Sequence, residues 1–260
     1  MMDVSEGFTL QEVHPSPSFP PFLKGSCIKT YFITVKGSKR KPWDKLRLPT
    51  SSCFILCSDG FNSKTSVSSP AEDLLRANQE ICRLEKENPY PVFVLEDDVE
   101  WTARMSEGKL RMCLRVFEKE RELNLVTLGC VPLLSTPSSH KGFHRIHSAT
   151  VTHALLISQR GREKLLSMKI FFGLPHDIFM YRMMRCLCPR YPLAVQPHPR
   201  TENSRVWDKS GLLLSFLNKD KDVEENYKKH HNSLRHNGLF GAVIAVASYT
   251  LSVGVVAASV

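Results

Sequence analysis

Short apolar segments alternate along this chain with longer segments of helical periodicity. Residues 28–35 (IKTYFITV) and 52–57 (SCFILC) are rich in β-branched and aromatic side chains, as buried strands are. Residues 69–87 follow, with leucine and isoleucine at helical spacing behind a Ser69-Pro70 start. Strands that alternate with helices predict an α/β layer, in which helices flank a mostly parallel central sheet.

The alternation continues to about residue 187. Residues 106–122 have an amphipathic helical pattern, 123–129 (LNLVTLG) and 149–158 (ATVTHALLIS) are predicted strands, and QRGREKLLSM and DIFMYRMMRCL are predicted helices. With 260 residues, 42% hydrophobic and 23% charged, the chain is long and apolar enough to bury a substantial core. We therefore predict one folded domain over residues 26–210.

The two ends of the chain depart from this pattern. Residues 1–25 contain a Pro-rich portion and are predicted to form a flexible arm. Residues 238–260 carry no charge and reach the roughly 20 apolar residues that span a bilayer. The basic juxtamembrane segment 211–237 favours the cytoplasmic side. We predict a C-terminal transmembrane helix that anchors a cytoplasmic domain; the alternative is a final helix or strand packed on that domain.

Charge and cysteine content narrow the classes of function. The formal net charge is +9, which favours an anionic partner such as nucleic acid, a membrane surface or a phosphorylated substrate. No helix-turn-helix, zinc or RNP pattern accompanies the basic run between residues 24 and 47, so nucleic acid is the weaker alternative. The eight cysteines do not form the paired spacings that a zinc module requires.

An apolar strand runs directly into three acids in the stretch PVFVLEDDVEW, residues 91–101. Glu96, Asp97 and Asp98 repel one another and lose hydration there, so the arrangement costs free energy unless a cation is supplied. Oxygen ligands of this kind select Mg²⁺ or Mn²⁺. Because side chains alternate along a strand, Glu96 and Asp98 are the predicted metal ligands. A solvated acidic loop is the alternative.

Four motifs in order, VFVLEDDVEW, LVTLG, THALLISQRGREKLL and LPHDIFM, resemble glycosyltransferase family 25 over roughly residues 28–200. That family includes bacterial lipooligosaccharide galactosyltransferases and collagen hydroxylysine galactosyltransferases. The resemblance implies a GT-A-like fold whose LEDD segment binds a metal ion and a nucleotide-sugar. It implies that Asp97, Lys39 and Arg40 bind the nucleotide-sugar. For Lys39 and Arg40, an equally good interpretation is a solvated basic loop.

The implied activity is metal-dependent transfer of a hexose, galactose or glucose, from a UDP-sugar donor to a glycan, lipid or protein acceptor. Mn²⁺ or Mg²⁺ is the implied cofactor, and Asp177 is the candidate catalytic base. Asp177 equally suits a helix N-cap, and Gln196 could face the same cleft. The remaining alternatives are a catalytically inactive, membrane-tethered scaffold and a basic nucleic-acid-binding protein.

Overall fold

The computed structural model describes residues 4–16, 18–61, 67, 69–169 and 176–196. The helices within these ranges are α1 (Pro70–Leu84), α2 (Glu107–Lys119), α3 (Gln159–Ser167) and α4 (His176–Met183), with a short 3₁₀ helix at Pro42–Asp44. The strands are β1 (Phe8–Val13), β2 (Lys29–Val35), β3 (Ser52–Ser58), β4 (Val92–Glu96), β5 (Glu100–Trp101), β6 (Leu125–Thr127), β7 (Val131–Pro137), β8 (Phe143–Thr150), β9 (Ala154–Ile157), β10 (Cys186–Pro189) and β11 (Ala194–Val195).

Nine strands form one mixed sheet in the order β1-β3-β2-β4-β9-β6-β10-β8-β7. Strands β2, β3, β4, β6, β7 and β10 run in one direction, and β1, β8 and β9 run in the other. Strands β5 and β11 form a separate antiparallel ribbon. The predicted α/β fold with a mostly parallel sheet is confirmed in this coarse sense, with antiparallel strands near both edges and one, β9, at the centre.

Both faces of the sheet are covered. Phe93 and Leu95 of β4 lie in a core cluster with buried residues of α2, while Val92 and Val94 lie in a second cluster with residues of α1, α3 and α4. A strand that is buried on both faces needs a continuous apolar run, which is what this segment supplies. Packing against helices on both faces therefore holds β4, including its carboxyl end, in place.

Serine side chains begin three of the helices. Ser69, Ser106 and Ser158 each accept a hydrogen bond from a backbone N–H three residues later, which satisfies one of the unpaired donors of a first turn. Gly161 then lets α3 approach the start of β6 closely, because a Cβ at this position would lie 2.1 Å from the carbonyl oxygen of Asn124.

The chain changes direction across the sheet at β2. From β2 it passes to β3 on one side, and then through α1 to β4 on the other side. The carboxyl ends of β2 and β4 are neighbours, with Ile33 opposite Glu96. In open α/β sheets, ligands bind outside the carboxyl ends of strands at such a switch in strand order. The antiparallel β9 begins at the same edge, since Ala154 lies opposite Leu95.

The N-terminal region differs from the predicted arm over residues 1–25. Phe8–Val13 pairs with β3 as an edge strand, and Phe22 and Leu23 are buried. The sheet therefore begins before the predicted domain boundary at residue 26. The sequence FTLQEV is mostly polar, as an edge strand can be, and it lacks the apolar run that marks a central strand.

The single strand predicted over residues 149–158 is two strands in the structure. β8 ends at Thr150 and β9 begins at Ala154, because Val151 has a positive φ of 72° and breaks the extended backbone. The helix predicted for DIFMYRMMRCL also ends early, at Met183. Its last residues belong to the buried strand β10 between β6 and β8.

Residues 197–260 lie outside the described part of the chain. They contain the predicted basic juxtamembrane segment 211–237 and the predicted membrane anchor 238–260, so both stay predictions. Among the residues that are described, no helix is long and apolar enough to cross a membrane.

Candidate functional site

The three acids lie where β4 ends. Glu96 is its last residue, and Asp97 and Asp98 form a turn in which the N–H of Val99 donates to the carbonyl oxygen of Glu96, at 3.2 Å. The turn projects beyond the carboxyl end of the strand, at the switch in strand order between β2 and β4. The three carboxylates differ in their partners, although Asp97 and Asp98 share Arg40.

Asp97 faces the loop that follows β2. Its Oδ2 accepts hydrogen bonds from the hydroxyls of Thr34, at 2.7 Å, and Ser38, at 2.8 Å. Its Oδ1 lies 3.4 Å from Nη1 of Arg40. Asp97 therefore ties the end of β4 to the loop after β2. Sequence analysis did not single out Thr34 and Ser38, since neither belongs to a recognisable motif.

Asp98 is 8% exposed and only half satisfied. Its Oδ2 accepts from Nε2 of Gln196, at 2.7 Å, and lies 3.3 Å from Nη1 of Arg40. Its Oδ1 is buried and has no hydrogen-bond partner among the described residues. Burial, helped by the charge of Asp97, raises the pKa of Asp98 against the opposing effects of Gln196 and Arg40. An unsatisfied buried carboxylate oxygen costs about 1–3 kcal/mol or more, which a bound cation would recover.

Glu96 accepts a hydrogen bond on Oε1 from the hydroxyl of Thr152, at 2.8 Å. Burial and then the negative charge of Asp98 raise the pKa of Glu96 to about 8, with smaller contributions from Asp97 and Asp177, while the Thr152 bond opposes them. Without a cation, the folded protein therefore retains a proton on Glu96 near neutral pH. The charges of Asp98, Asp97 and the predicted Asp177 therefore all act on Glu96.

A cation is already present beside two of these acids. Arg40 forms ion pairs with both Asp97 and Asp98, and its side chain is 31% exposed. The sequence argument assigned the neutralising charge to a metal ion, but the structure shows that a guanidinium supplies part of it. Lys39 is exposed, and no ion pair to it is found among the described residues.

Asp177 lies at the start of α4 and uses both carboxylate oxygens. Oδ2 accepts from the N–H of Val151, at 2.8 Å, and Oδ1 accepts from the N–H of Ile178, at 2.9 Å. Burial raises the pKa of Asp177, and these backbone bonds oppose the shift. The neighbouring His176 is buried, and burial lowers its pKa to about 4, so its imidazole is neutral. Asp177 lies inside the first turn of α4, which begins at His176, so it accepts from backbone N–H groups without being the N-cap residue. The catalytic-base assignment stays a prediction.

The residues present fit a hard divalent cation. Glu96 and Asp98 offer carboxylate oxygens, and Oδ1 of Asp98 is an acceptor that has no hydrogen-bond partner in the part of the chain that the structure describes. Within the described residues, no group of three or more potential ligands surrounds a common point. Mg²⁺ and similar ions commonly use one or two carboxylates and complete their shell with water and substrate phosphates, so two acids suffice.

Comparisons with known proteins identify no family for this chain. No protein-family model and no curated protein matches the chain. It is similar to the crystal structure of A197 from STIV, with 16% identity, coverage of 67% of this chain and 87% of that one, and a TM-score of 0.41. It is also similar to apo-UDP-glucose pyrophosphorylase, with 10% identity, coverage of 81% and 82%, and a TM-score of 0.36. Similarities this distant carry no assignment of function.

Proposed function

We propose that this protein is a metal-dependent glycosyltransferase of the GT-A type. It transfers a hexose, galactose or glucose, from a UDP-sugar to a glycan, lipid or protein acceptor. The observation that carries the proposal is the buried, unpartnered Oδ1 of Asp98, which lies in an acidic turn at the strand-order switch of an α/β sheet. The resemblance of the LEDD segment and its neighbouring motifs to glycosyltransferase family 25 supports the choice of reaction.

Two groups of residues take part in donor binding. Glu96 and Asp98 hold the metal ion, and Asp97 keeps the loop after β2 in place through Thr34 and Ser38. Lys39 and Arg40 of that loop face the donor diphosphate. A divalent ion at the two acids would neutralise charge on the leaving diphosphate.

The experiment is calorimetric titration of the protein with Mn²⁺ and then with UDP-galactose or UDP-glucose. We expect the wild-type protein to bind the donor only when Mn²⁺ is present. Glu96→Gln with Asp98→Asn replaces both carboxyl groups with amides at nearly constant shape, so it should abolish metal-dependent binding and leave the fold intact.

A matched control is Glu87→Gln with Glu118→Gln, which removes two exposed carboxylates elsewhere and should bind the donor as the wild type does. Wild-type protein that binds neither Mn²⁺ nor a UDP-sugar would refute the proposal. Donor binding that survives in the Glu96 and Asp98 double variant would refute the site.

One observation favours the inactive, scaffolding alternative. Arg40 already pairs with Asp97 and Asp98, and a guanidinium that stayed there permanently would compete with a metal ion. The two functions differ in Mn²⁺ binding by the wild-type chain, which only the enzyme requires. Hydrolysis of the UDP-sugar in the presence of Mn²⁺ would then identify the enzyme.

A further inference from the structure

Val151 has a backbone conformation that its side chain disfavours. Its φ of 72° makes it the only positive-φ residue other than glycine within the described residues. Valine is β-branched, and such a residue in the left-handed region costs on the order of 1–3 kcal/mol. It lies in the three-residue connection between the end of β8, Thr150, and the start of β9, Ala154. Surrounding contacts must therefore stabilise it.

Two residues of α4 stabilise this conformation. Asp177 accepts a hydrogen bond from the N–H of Val151, at 2.8 Å, and the hydroxyl of Tyr181 donates to the carbonyl oxygen of Val151, also at 2.8 Å. Asp177 and Tyr181 are four residues apart, which places them on the same helix face. Tyr181 is fully buried, so the helix holds Val151 through both of its backbone polar groups.

The next two residues both contact Glu96. The hydroxyl of Thr152 donates to Oε1 of Glu96, at 2.8 Å, and the carbonyl oxygen of His153 accepts from the N–H of Glu96, at 2.9 Å. The segment thus joins α4 to the proposed metal ligand. Since Thr152 occupies Oε1, it leaves Oε2 of Glu96 as the oxygen that can face a cation.

We infer that Asp177 is a positioning residue: with Tyr181 it holds Val151 in the left-handed conformation, which directs Thr152 onto Glu96 and orients that carboxylate for a divalent cation. The inference rests on the proposed function in one respect, because it takes Glu96 as a metal ligand. It gives Asp177 a role that needs no contact with substrate and no proton transfer.

The test uses the affinity for Mn²⁺ alone, with four variants and one control. Asp177→Ala removes the acceptor for Val151 and should weaken Mn²⁺ binding about 10-fold or more, as loss of a group that orients a ligand does. Asp177→Asn retains one acceptor oxygen, which can accept from the Val151 N–H at the cost of the bond from the Ile178 N–H, so it should keep more of the affinity than Asp177→Ala. Adding Val151→Gly to Asp177→Ala should restore much of the lost affinity, because glycine adopts positive φ without the steric cost.

The restored affinity is the decisive result, because neither a catalytic base nor a simple charge effect is repaired by a glycine at position 151. Equal weakening by Asp177→Ala and Asp177→Asn would indicate a charge effect and overturn the inference. Thr152→Val keeps the shape of the side chain but removes the hydroxyl. It should weaken Mn²⁺ binding as Asp177→Ala does, and Glu118→Ala on α2 is the control that should not.

Hydrogen exchange in the metal-free protein separates this inference from the proposed function. The Val151 amide should exchange at least about 10-fold faster in Asp177→Ala than in the wild type, while amides of the central strand β4 remain protected. Wild-type protein that binds no Mn²⁺ would refute the proposed function, and this exchange rate would still test the positioning role. An unchanged Val151 exchange rate in a folded Asp177→Ala protein would refute that role.

Discussion

The molecule buries acidic side chains in two regions and partners them differently. One region is α1 and the residue after it, where Glu80 and Glu85 are 5% and 1% exposed. The other is the edge of the sheet, where Glu96 and Asp98 follow β4. In the first region, each acid accepts hydrogen bonds from donors of this chain. In the second region, one acid lacks a donor for one of its carboxylate oxygens among the described residues.

Glu85 is fully partnered. Oε1 accepts from Nζ of Lys29, at 2.8 Å, and from the hydroxyl of Tyr31, at 2.5 Å, while Oε2 accepts from Nδ2 of Asn88, at 2.6 Å. Glu80 accepts two bonds from Ser5 and two from Arg83. Burial alone would raise the pKa of Glu80, but the bonds from Arg83 and Ser5 outweigh it and lower the pKa.

The sheet-edge acids show the opposite balance. The pKa values of Glu96 and Asp98 are raised, and Oδ1 of Asp98 has no hydrogen-bond partner among the described residues. Asp97, in the same triplet, resembles the α1 acids because Thr34 and Ser38 satisfy it. At α1 the buried acids are satisfied by donors of this chain, whereas two of the three edge acids have raised pKa values. The proposed metal site rests on this contrast.

The largest effect should follow from removing Glu85. Glu85→Ala leaves three buried or half-buried donors without their acceptor, so the free energy of unfolding should fall by about 3 kcal/mol. Urea unfolding measures this, with the exposed Glu87→Ala as the control that should stay within about 0.5 kcal/mol of the wild type. A fall no larger than that of the control would mean that the α1 acids do not stabilise the fold.

Removing the edge acids should have the opposite sign. Glu96→Gln with Asp98→Asn relieves repulsion and burial of charge, so the metal-free protein should gain about 1.5 kcal/mol in free energy of unfolding at pH 7. Urea unfolding in the presence of a chelator measures it. Destabilisation as large as that of Glu85→Ala would instead make the edge cluster a structural one, and the contrast between the two regions would disappear.

The two regions should also respond to pH in opposite directions. Glu96 has a raised pKa, about 8 in the folded state against a usual value near 4.5, so its proton stabilises the folded state below pH 4.5 and this contribution is lost as pH rises toward 8. Glu80 has a lowered pKa, so its contribution is present above pH 4.5 and is lost as pH falls below that value.

The stability difference between Glu96→Gln and the wild type should therefore grow in favour of the variant by at least about 1 kcal/mol between pH 5 and pH 8, measured without metal. Glu80→Gln should instead lose stability relative to the wild type mainly above pH 4.5. If the stability difference between Glu96→Gln and the wild type does not change with pH, the Glu96 carboxyl of the wild type is ionised throughout this range.

Local sequence signals predicted the central elements of this fold. β2, β3, α1 and α2 lie within two or three residues of their predicted bounds, because apolar runs and serine caps are encoded in neighbouring residues. The edge strand β1 and the buried β10 were not predicted. β1 has a mostly polar sequence. The sequence of β10 continues the helical pattern of α4, but the segment forms a strand because it pairs with β6 and β8.

The site was predictable in part for the same reason. The acidic triplet is a local pattern, and it identified Glu96, Asp97 and Asp98 as a group. Their partners Thr152 and Ser38 come from distant segments, so only the folded chain brings them together. Gln196 was expected to face this cleft, and it donates a hydrogen bond to Asp98. The turn at Val151 carries no glycine or proline signal, since contacts from α4 rather than local preference stabilise it.

The smallest effect on stability should come from Arg40, which pairs with both Asp97 and Asp98. Its ion pairs with Asp97 and Asp98 are long, at 3.4 and 3.3 Å, and its side chain is 31% exposed, so solvent screens them. Arg40→Gln should change the free energy of unfolding by less than about 0.5 kcal/mol.

The same substitution should change cation binding much more. Loss of a positive charge beside the acids removes a competitor for Mn²⁺, so the affinity for Mn²⁺ alone should rise about 5-fold, a change of roughly 1 kcal/mol. Arg76→Gln breaks an ion pair with Glu72 on the surface of α1 and should leave Mn²⁺ binding unchanged, which makes it the matched control. If Arg40→Gln instead weakens Mn²⁺ binding, Arg40 orders the acids rather than competing for them. The edge cluster would then resemble the α1 acids in depending on a cation of its own chain.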